Sequence, residues 1–301
     1  HSLHVLRDHA PGRLKYAALR AQLRPLLAAY RVDLVHVHFG YAANDVLDVT
    51  AHRPYVLSLH GHDVTGLLHD SPQHYDRVVG AVDAVIVPSR FLAAAAERAG
   101  FPADRMHVIP SGVDTSFFSP TPLPDGAPTV TFVGRLVEKK GLDVLLAAWP
   151  LVRAEHPDAR LVVVGEGPLA PLLSDTDASV SHLLPDPARR HEQVRDAIRA
   201  GHLVVTPSRT APTGDSESLL LVNLEAAASG RPVVSTRHGG IPEFVEDGVT
   251  GLLVEEADAQ ALAAAMSRVL GDQGVARKLA DAAVSHAAAF DMRECAARVD
   301  D

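Results

Sequence analysis

Glu217 and Glu225 stand eight residues apart, with the largely apolar Ser218-Leu-Leu-Leu-Val-Asn-Leu224 between them and Ala226-Ala-Ala228 after them. On a helix of 100° per residue, eight residues make two turns plus about 80°, which predicts one carboxylate at a helix mouth and the other two turns deeper. Unpaired N–H groups and the positive end of the helix dipole favour an anion at such a mouth. A diphosphate-bearing ligand with a sugar end near Glu217 and a ribose near Glu225 fits that spacing.

Two further stretches carry similar chemistry. Gly134-Arg135-Leu-Val-Glu-Lys-Lys140-Gly141 follows a predicted strand and precedes a predicted helix. A glycine there lets the backbone approach a ligand, and Arg135 and Lys140 can flank a diphosphate; solvated charges at a helix start are the plainer alternative. The order Gly-x-x-x-x-Gly-Lys-Ser/Thr is absent, so this is not a Walker A loop. His238-Gly239-Gly240-Ile-Pro-Glu243 also joins a strand to a helix, and its glycines either expose amides to an anion or form an ordinary tight turn.

In the first half, His36 and His38 share one strand face, while His60, His62 and Asp63 close another strand. Imidazole and carboxylate suit zinc, yet no cysteine cluster or His-Glu-x-x-His helix accompanies them, so no metal is expected. A hydrogen-bonding role toward a substrate fits better and falls to His60. No Gly-x-Ser-x-Gly elbow occurs, and Cys295 has no nearby histidine in sequence. Gly165-Glu-Gly167 is too short for a dinucleotide fingerprint.

The elements that must position these groups alternate. Apolar runs at 33–39, 55–59, 84–87 and 106–109 predict strands, separated by helical patterns at 42–51, 72–82 and 90–99. A Pro-rich run at 119–128 can neither continue a helix nor enter a central strand, and is read as a linker. Strands are then predicted at 130–133, 161–164, 203–206, 232–236 and 251–254, with a further one at 180–184. Helices are predicted at 141–155, around Glu217, and twice within 257–289. The expected α/β architecture is two Rossmann-like parallel-sheet domains, 1–118 and 129–290, with a cleft between their strand ends. A terminal helix at 291–301 is expected to pack back toward the first domain.

Composition narrows the classes. With 28 basic against 37 acidic residues the net charge is −9, which argues against a nucleic-acid partner and requires any phosphate to be held by a local site. A single cysteine excludes an internal disulfide and suits a reducing cytoplasm. No apolar run reaches the roughly 18 residues of a membrane span. A pattern over 13–30, with Arg13, Arg20, Arg24 and Arg31 on one side, predicts an amphipathic helix whose basic face is either solvated or a peripheral contact with an anionic membrane. The chain opens on His1 without a signal-peptide pattern, and so reads as starting inside a larger protein.

Taken together, these motifs resemble retaining GT-B glycosyltransferases of family 4 (group 1), notably members that build bacterial exopolysaccharide and cell-surface glycans. The likeness rests on Glu217-x7-Glu225 running into Ala-Ala-Ala-Ser-Gly-Arg-Pro-Val-Val, on Gly134-Arg135 with Lys140-Gly141, on His238-Gly-Gly-Ile-Pro-Glu243, and on Asp247-Gly-Val-Thr-Gly251. Val37-His38-Phe39-Gly40, His60-Gly61-His62-Asp63, Pro88-Ser89 and Pro110-Ser-Gly-Val-Asp114 agree. The resemblance implies that Arg135 and Lys140 bind the diphosphate of a nucleotide-sugar donor, Glu217 the sugar hydroxyls and Glu225 the ribose. His60 is implied to hydrogen-bond the transferred sugar, and Gly239-Gly240 to offer amides nearby. Gly165, Ser218, Leu219 and Leu220 are implied to complete the donor contacts.

The implied reaction is metal-free, cofactor-free hexosyl transfer from a UDP- or GDP-sugar to a hydroxyl of a saccharide or lipid-linked acceptor, with retention, by a cytoplasmic or peripheral inner-face enzyme. Two departures stand out: Ser218 replaces the usual glycine, and the strand–helix units that normally precede 33–39 are not found. The alternatives are a binder of sugar nucleotides without turnover, a GT-B epimerase or hydrolase, and, weakest, a metallohydrolase on the four histidines.

Overall fold

The computed structural model describes residue 23, residues 25–50 and residues 53–300. Most of the amphipathic helix expected over 13–30, with Arg13, Arg20 and Arg24 and the membrane contact assigned to them, lies outside the described residues. Within them, Leu23 and residues 25–29 are helical, and Leu23 and Leu27 are buried against Val49.

The chain divides into two compact units, one running to Pro88 and resuming at Leu92–Val108, the other comprising Ser89–Phe91 and Ile109 onward. In the first unit, β1 (Val35–His38), β2 (Tyr55–Ser58), β3 (Ala84–Val87) and β4 (Met106–Val108) form a parallel sheet in chain order. Tyr55, Leu57, Val85 and Val87 are buried in its core, as expected for strands covered on both faces. Helices Ala43–Thr50 and Arg90–Arg98 lie between strands, close to the predicted 42–51 and 90–99.

The expectation of a helix over 72–82 does not hold: that stretch is a succession of turns. Its apolar spacing is genuine, since Tyr75, Val78 and Val82 are buried. Helical bonds, however, run only from Val79 to Tyr75 and from Val82 to Val78, among i→i+3 bonds such as Ala81 to Val78. Gly80 within so short a run lowers its helix propensity further. Two short helices that the pattern does not reveal, His62–Thr65 and Leu67–Asp70, precede it.

The second unit carries a six-stranded parallel sheet in the order β10-β9-β8-β5-β6-β7. Its strands are β5 (Thr129–Val133), β6 (Arg160–Val164), β7 (Val180–Leu183), β8 (Leu203–Thr206), β9 (Val233–Thr236) and β10 (Gly251–Val254). Successive residues alternate between two cores: Leu161 and Val163 enter one and Val164 the other, while Leu203 and Val205 part from Val204 in the same way. The strand order reverses direction between β5 and β8. In open α/β sheets the crevice beyond the carboxyl ends at such a reversal is where ligands bind.

Within this unit the Pro-rich run has neither helix nor strand and is fastened by two arginines. Arg231, 1% exposed, donates through Nη1 to the carbonyl of Thr121 (2.8 Å) and through Nη2 to those of Pro122 (3.0 Å) and Arg199 (2.7 Å). Arg199 donates to the carbonyl of Ser119 at 2.7 Å. Val113 bridges to Asp291, ahead of the terminal helix Met292–Asp300.

Candidate functional site

The two loops that leave β5 and β8 meet at the reversal. The β5 loop is shaped by close backbone packing: a Cβ at Gly165 would lie 1.9 Å from the carbonyl oxygen of Gly134, and one at Gly167 would lie 2.5 Å from that of Leu136. The Gly165-Glu166-Gly167 turn therefore lies flat against residues 134–136, with Leu136 N–H donating to Glu166. The chain then turns through Glu138–Lys140 and reverses at Gly141, whose φ of 67° is in the left-handed region. A side chain at Gly141 would strike the carbonyl of Pro207, and Arg209 N–H bonds to the Lys139 carbonyl at 2.8 Å, so the β5 and β8 loops are joined.

That junction brings charge together. Lys140 Nζ is 3.0 Å from Glu217 Oε1, and Lys139 Nζ is 3.6 Å from the same oxygen. Lys139 also donates to Asp215 Oδ1 at 3.0 Å. Burial is the largest influence on Glu217 and would raise its pKa, but Lys140 and Lys139 outweigh it and hold the carboxyl below its ordinary value. The group is thus a buried carboxylate held toward its ionised form. Burial lowers the Lys140 pKa, an effect only partly offset by Glu217 and reinforced by Lys139 and Arg135. Arg135 itself is exposed.

Glu217 is not at a helix mouth, contrary to the spacing argument. The helix begins at Leu221 and ends at Ala228, so Glu225 lies in its second turn and Glu217 lies four residues before it. The backbone explains this. Glu217 C=O accepts from Gly240 N–H at 3.0 Å and Glu217 N–H donates to His238, so residue 217 is committed to the 238–240 turn rather than to helical bonding. Both glycines are required for that closeness. A Cβ at Gly239 (φ 54°) would lie 2.1 Å from the carbonyl oxygen of Glu217, and one at Gly240 would lie 1.8 Å from that of Ser218. The Gly240 amide, expected to face an anion, is therefore engaged within the protein.

Ser218 and Leu220 are buried beneath this turn, with Leu219 half-buried. Glu225 faces a cavity of about 390 Å³ lined by Gly112, Asp114, Phe117, His191 and Leu221 among others. Burial pushes its carboxyl up to about 7.

His60 belongs to the first unit. Its Nε2 is 3.3 Å from His38 Nδ1, and its backbone N–H, with those of Gly40 and Gly61, converges on the buried carboxylate of Asp63. His36 is lowered to about 4 by burial and by the neighbouring His38 and His60, and burial lowers His38 as well. Among the described residues no three His, Cys, Asp or Glu side chains are placed to hold a metal ion.

Lys139, Asp215, His238 and Glu256 escape sequence reasoning as individual site residues. Only the adjacency of Lys139 to Lys140, and of Asp215 and His238 to the glutamate and glycine motifs, hinted at three of them, and nothing in the sequence hinted at Glu256.

Comparison with known proteins agrees across both units. The family described as "Glycosyltransferase Family 4" matches residues 3–117, and "Glycosyl transferases group 1" matches residues 127–272. A D-inositol 3-phosphate glycosyltransferase of Nocardia farcinica is 33% identical over 90% of this chain and 66% of its own length. A GDP-mannose-dependent alpha-(1-6)-phosphatidylinositol monomannoside mannosyltransferase of Mycolicibacterium smegmatis is 34% identical over 80% and 68%. The chain thus spans about two thirds of the length of these relatives.

Among solved structures, Anabaena HepE in complex with UDP and glucose superposes with a TM-score of 0.80 at 24% identity, over 96% of this chain and 82% of that one. Sucrose-phosphate synthase of Thermosynechococcus elongatus gives 0.81 at 24% identity, over 97% and 79%. At that identity the likeness establishes the fold, two Rossmann-like units of the GT-B type.

Proposed function

The chain belongs to glycosyltransferase family 4, and from that premise we propose that it transfers a hexosyl group from a nucleotide-sugar donor to an acceptor hydroxyl during polysaccharide or glycolipid synthesis. The observation that carries the reading is the convergence of Lys140, Lys139 and Glu217 where the strand order reverses. An ionised, buried carboxylate beside two ammonium groups suits a ligand that is neutral and hydroxyl-rich at one end and anionic at the other. Glu217 accepts hydrogen bonds from sugar hydroxyls, while Lys140 and the exposed Arg135 meet the diphosphate. Charge grows on that diphosphate as the anomeric bond breaks, and prearranged cations lower the barrier by stabilising it. The reaction so read retains configuration and needs no divalent ion.

Glu225 takes the ribose, because its carboxylate opens on a cavity beside the helix that follows Glu217. His60 keeps the role its family resemblance gives it, a hydrogen bond to the transferred sugar. UDP- and GDP-sugars are the donors to try first, since one relative's name specifies GDP-mannose and one structural neighbour binds UDP.

The test is turnover of UDP- and GDP-sugars by the wild type and Glu217→Ala, alongside calorimetry with UDP and GDP. Loss of transfer with nucleoside diphosphate binding retained is expected, and unchanged transfer rates would refute the role of Glu217. Binding without product in the wild type would leave a sugar-nucleotide binder, and donor consumption without an acceptor product a hydrolase or epimerase. No binding to either nucleotide would reject the reading altogether.

A further inference from the structure

We propose that His238 is a positioning residue for Glu217, locked in one tautomer by Glu256, and that this pair sets the height of the β8 loop over the sheet. His238 is 1% exposed. Its Nε2 lies 3.0 Å from the backbone nitrogen of Glu217, and its Nδ1 lies 2.7 Å from Glu256 Oε1. A backbone N–H can only donate, so Nε2 carries the lone pair and the ring proton resides on Nδ1, directed at the carboxylate. Burial works to raise the Glu256 pKa, but the bonds from Thr210 and His238 outweigh it and hold the group ionised, fit to accept that proton.

The second oxygen of Glu256 makes the arrangement more than a local pair. Glu256 Oε2 accepts from Thr210 N–H at 2.8 Å. One carboxylate therefore fastens residue 210 directly and residue 217 through the imidazole. Between those points the loop turns tightly, Gly214 N–H donating to Ala211 and Ala211 N–H to Asp215, and its middle is held by Lys139 on Asp215. Three attachments thus fix a segment that has no helix or strand of its own. Glu256 is aimed by Ala257, a non-glycine residue at φ 58°, and by Asp258, which caps the helix Ala259–Gly271 through Ala261 N–H.

The frame fixes the Glu217 side chain beside Lys140. A shift of about 1 Å in a positioned group can cost on the order of 100-fold in rate, so the frame bears on kcat rather than on fold alone. Its catalytic consequence rests on the glycosyltransferase reading above; its geometry does not.

The experiment uses the full chain in three forms: wild type, His238→Gln and His238→Leu. Glutamine keeps an oxygen to accept from Glu217 N–H and an amide to donate toward Glu256, whereas leucine fills the space without either. Nitrogen-15 NMR of the imidazoles, with the His238 resonances identified by their loss in His238→Gln, should show a neutral ring protonated on Nδ1. A ring protonated on Nε2, or on both nitrogens, at neutral pH overturns the proposal. In donor turnover, His238→Leu should lose on the order of 100-fold in kcat with UDP or GDP affinity unchanged, and His238→Gln should recover most of the loss. A folded His238→Leu with wild-type kcat, or a His238→Gln no better than it, would also overturn it. If the wild type turns over no sugar nucleotide, the functional reading falls, and the tautomer together with hydrogen exchange at the Glu217 amide still decides the positioning role.

Discussion

Glu225→Gln should stabilise this protein at alkaline pH and do little at acid pH. Burial raises the Glu225 carboxyl from 4.5 to about 7, so the folded state resists ionisation that the unfolded chain accepts freely. A raised acid pKa is harmless below 4.5, where both states are protonated, and costs progressively more as pH climbs toward 7. The full difference of about 2.5 units corresponds to about 3.4 kcal/mol at 1.36 kcal/mol per unit. Evaluated with the two values, the wild type gives up about 1 kcal/mol at pH 5 and about 3 kcal/mol near pH 8. Glutamine has nearly the same shape and no charge, so the variant gains what the wild type forfeits. At about 2–4 °C per kcal/mol for a unit of this size, the variant's melting temperature should exceed the wild type's by about 6–12 °C near pH 8 and by only a few degrees at pH 5. The assay is a pair of thermal unfolding curves for each protein at the two pH values. An equal offset at both, or a less stable variant near pH 8, would show that the carboxylate is solvated or paired and refute the reasoning.

The remaining predictions probe the frame around the crevice. Gly240→Ala places a Cβ 1.8 Å from the Ser218 carbonyl oxygen, so the turn must open; a loss of roughly 1–3 kcal/mol in chemical denaturation is expected, with a fall in donor turnover beyond what stability explains. Ala257→Gly relieves a left-handed alanine and should stabilise by about 0.5–1 kcal/mol in the same assay, a loss of stability being the contrary result. Arg231→Met strips donors from the carbonyls of Thr121, Pro122 and Arg199, and should cost about 1–3 kcal/mol for each carbonyl left buried without a partner, with Arg231→Lys recovering little because one ammonium cannot reach them all. If Glu225 holds the ribose, a 2′-deoxynucleoside diphosphate should bind the wild type about tenfold more weakly than its ribose parent, and Glu225→Ala should erase that difference in calorimetry.

What the sequence disclosed and what it withheld follow from the range of the forces involved. The central strands are legible because burial on both faces demands continuous apolar runs such as 161–164 and 203–206, and that demand is local. Lys140 is legible as candidate chemistry because it stands with Arg135 and Gly141 between a strand and a helix, and Glu217 because of its eight-residue spacing from Glu225. Their contact is not legible, since 77 residues of chain separate them and only the order of β5 and β8 in the sheet brings them together. The error over Glu217 has the same origin. Leu219, Leu220, Leu221 and Leu224 carry helical periodicity, and nothing near them in sequence reveals that the turn at 238–240 will claim the backbone of residue 217. Helix propensity amounts to a few tenths of a kcal/mol per residue, whereas an unsatisfied buried amide costs about 1–3 kcal/mol, so the distant partner prevails. Lys139 and His238 drew no reading of their own for a related reason. Each is buried by a loop whose position is set elsewhere, and a polar side chain takes its meaning from the partner that burial gives it. On the function proposed above, residues of this kind, ordinary in type and fixed by contacts far along the chain, are where the donor would be positioned.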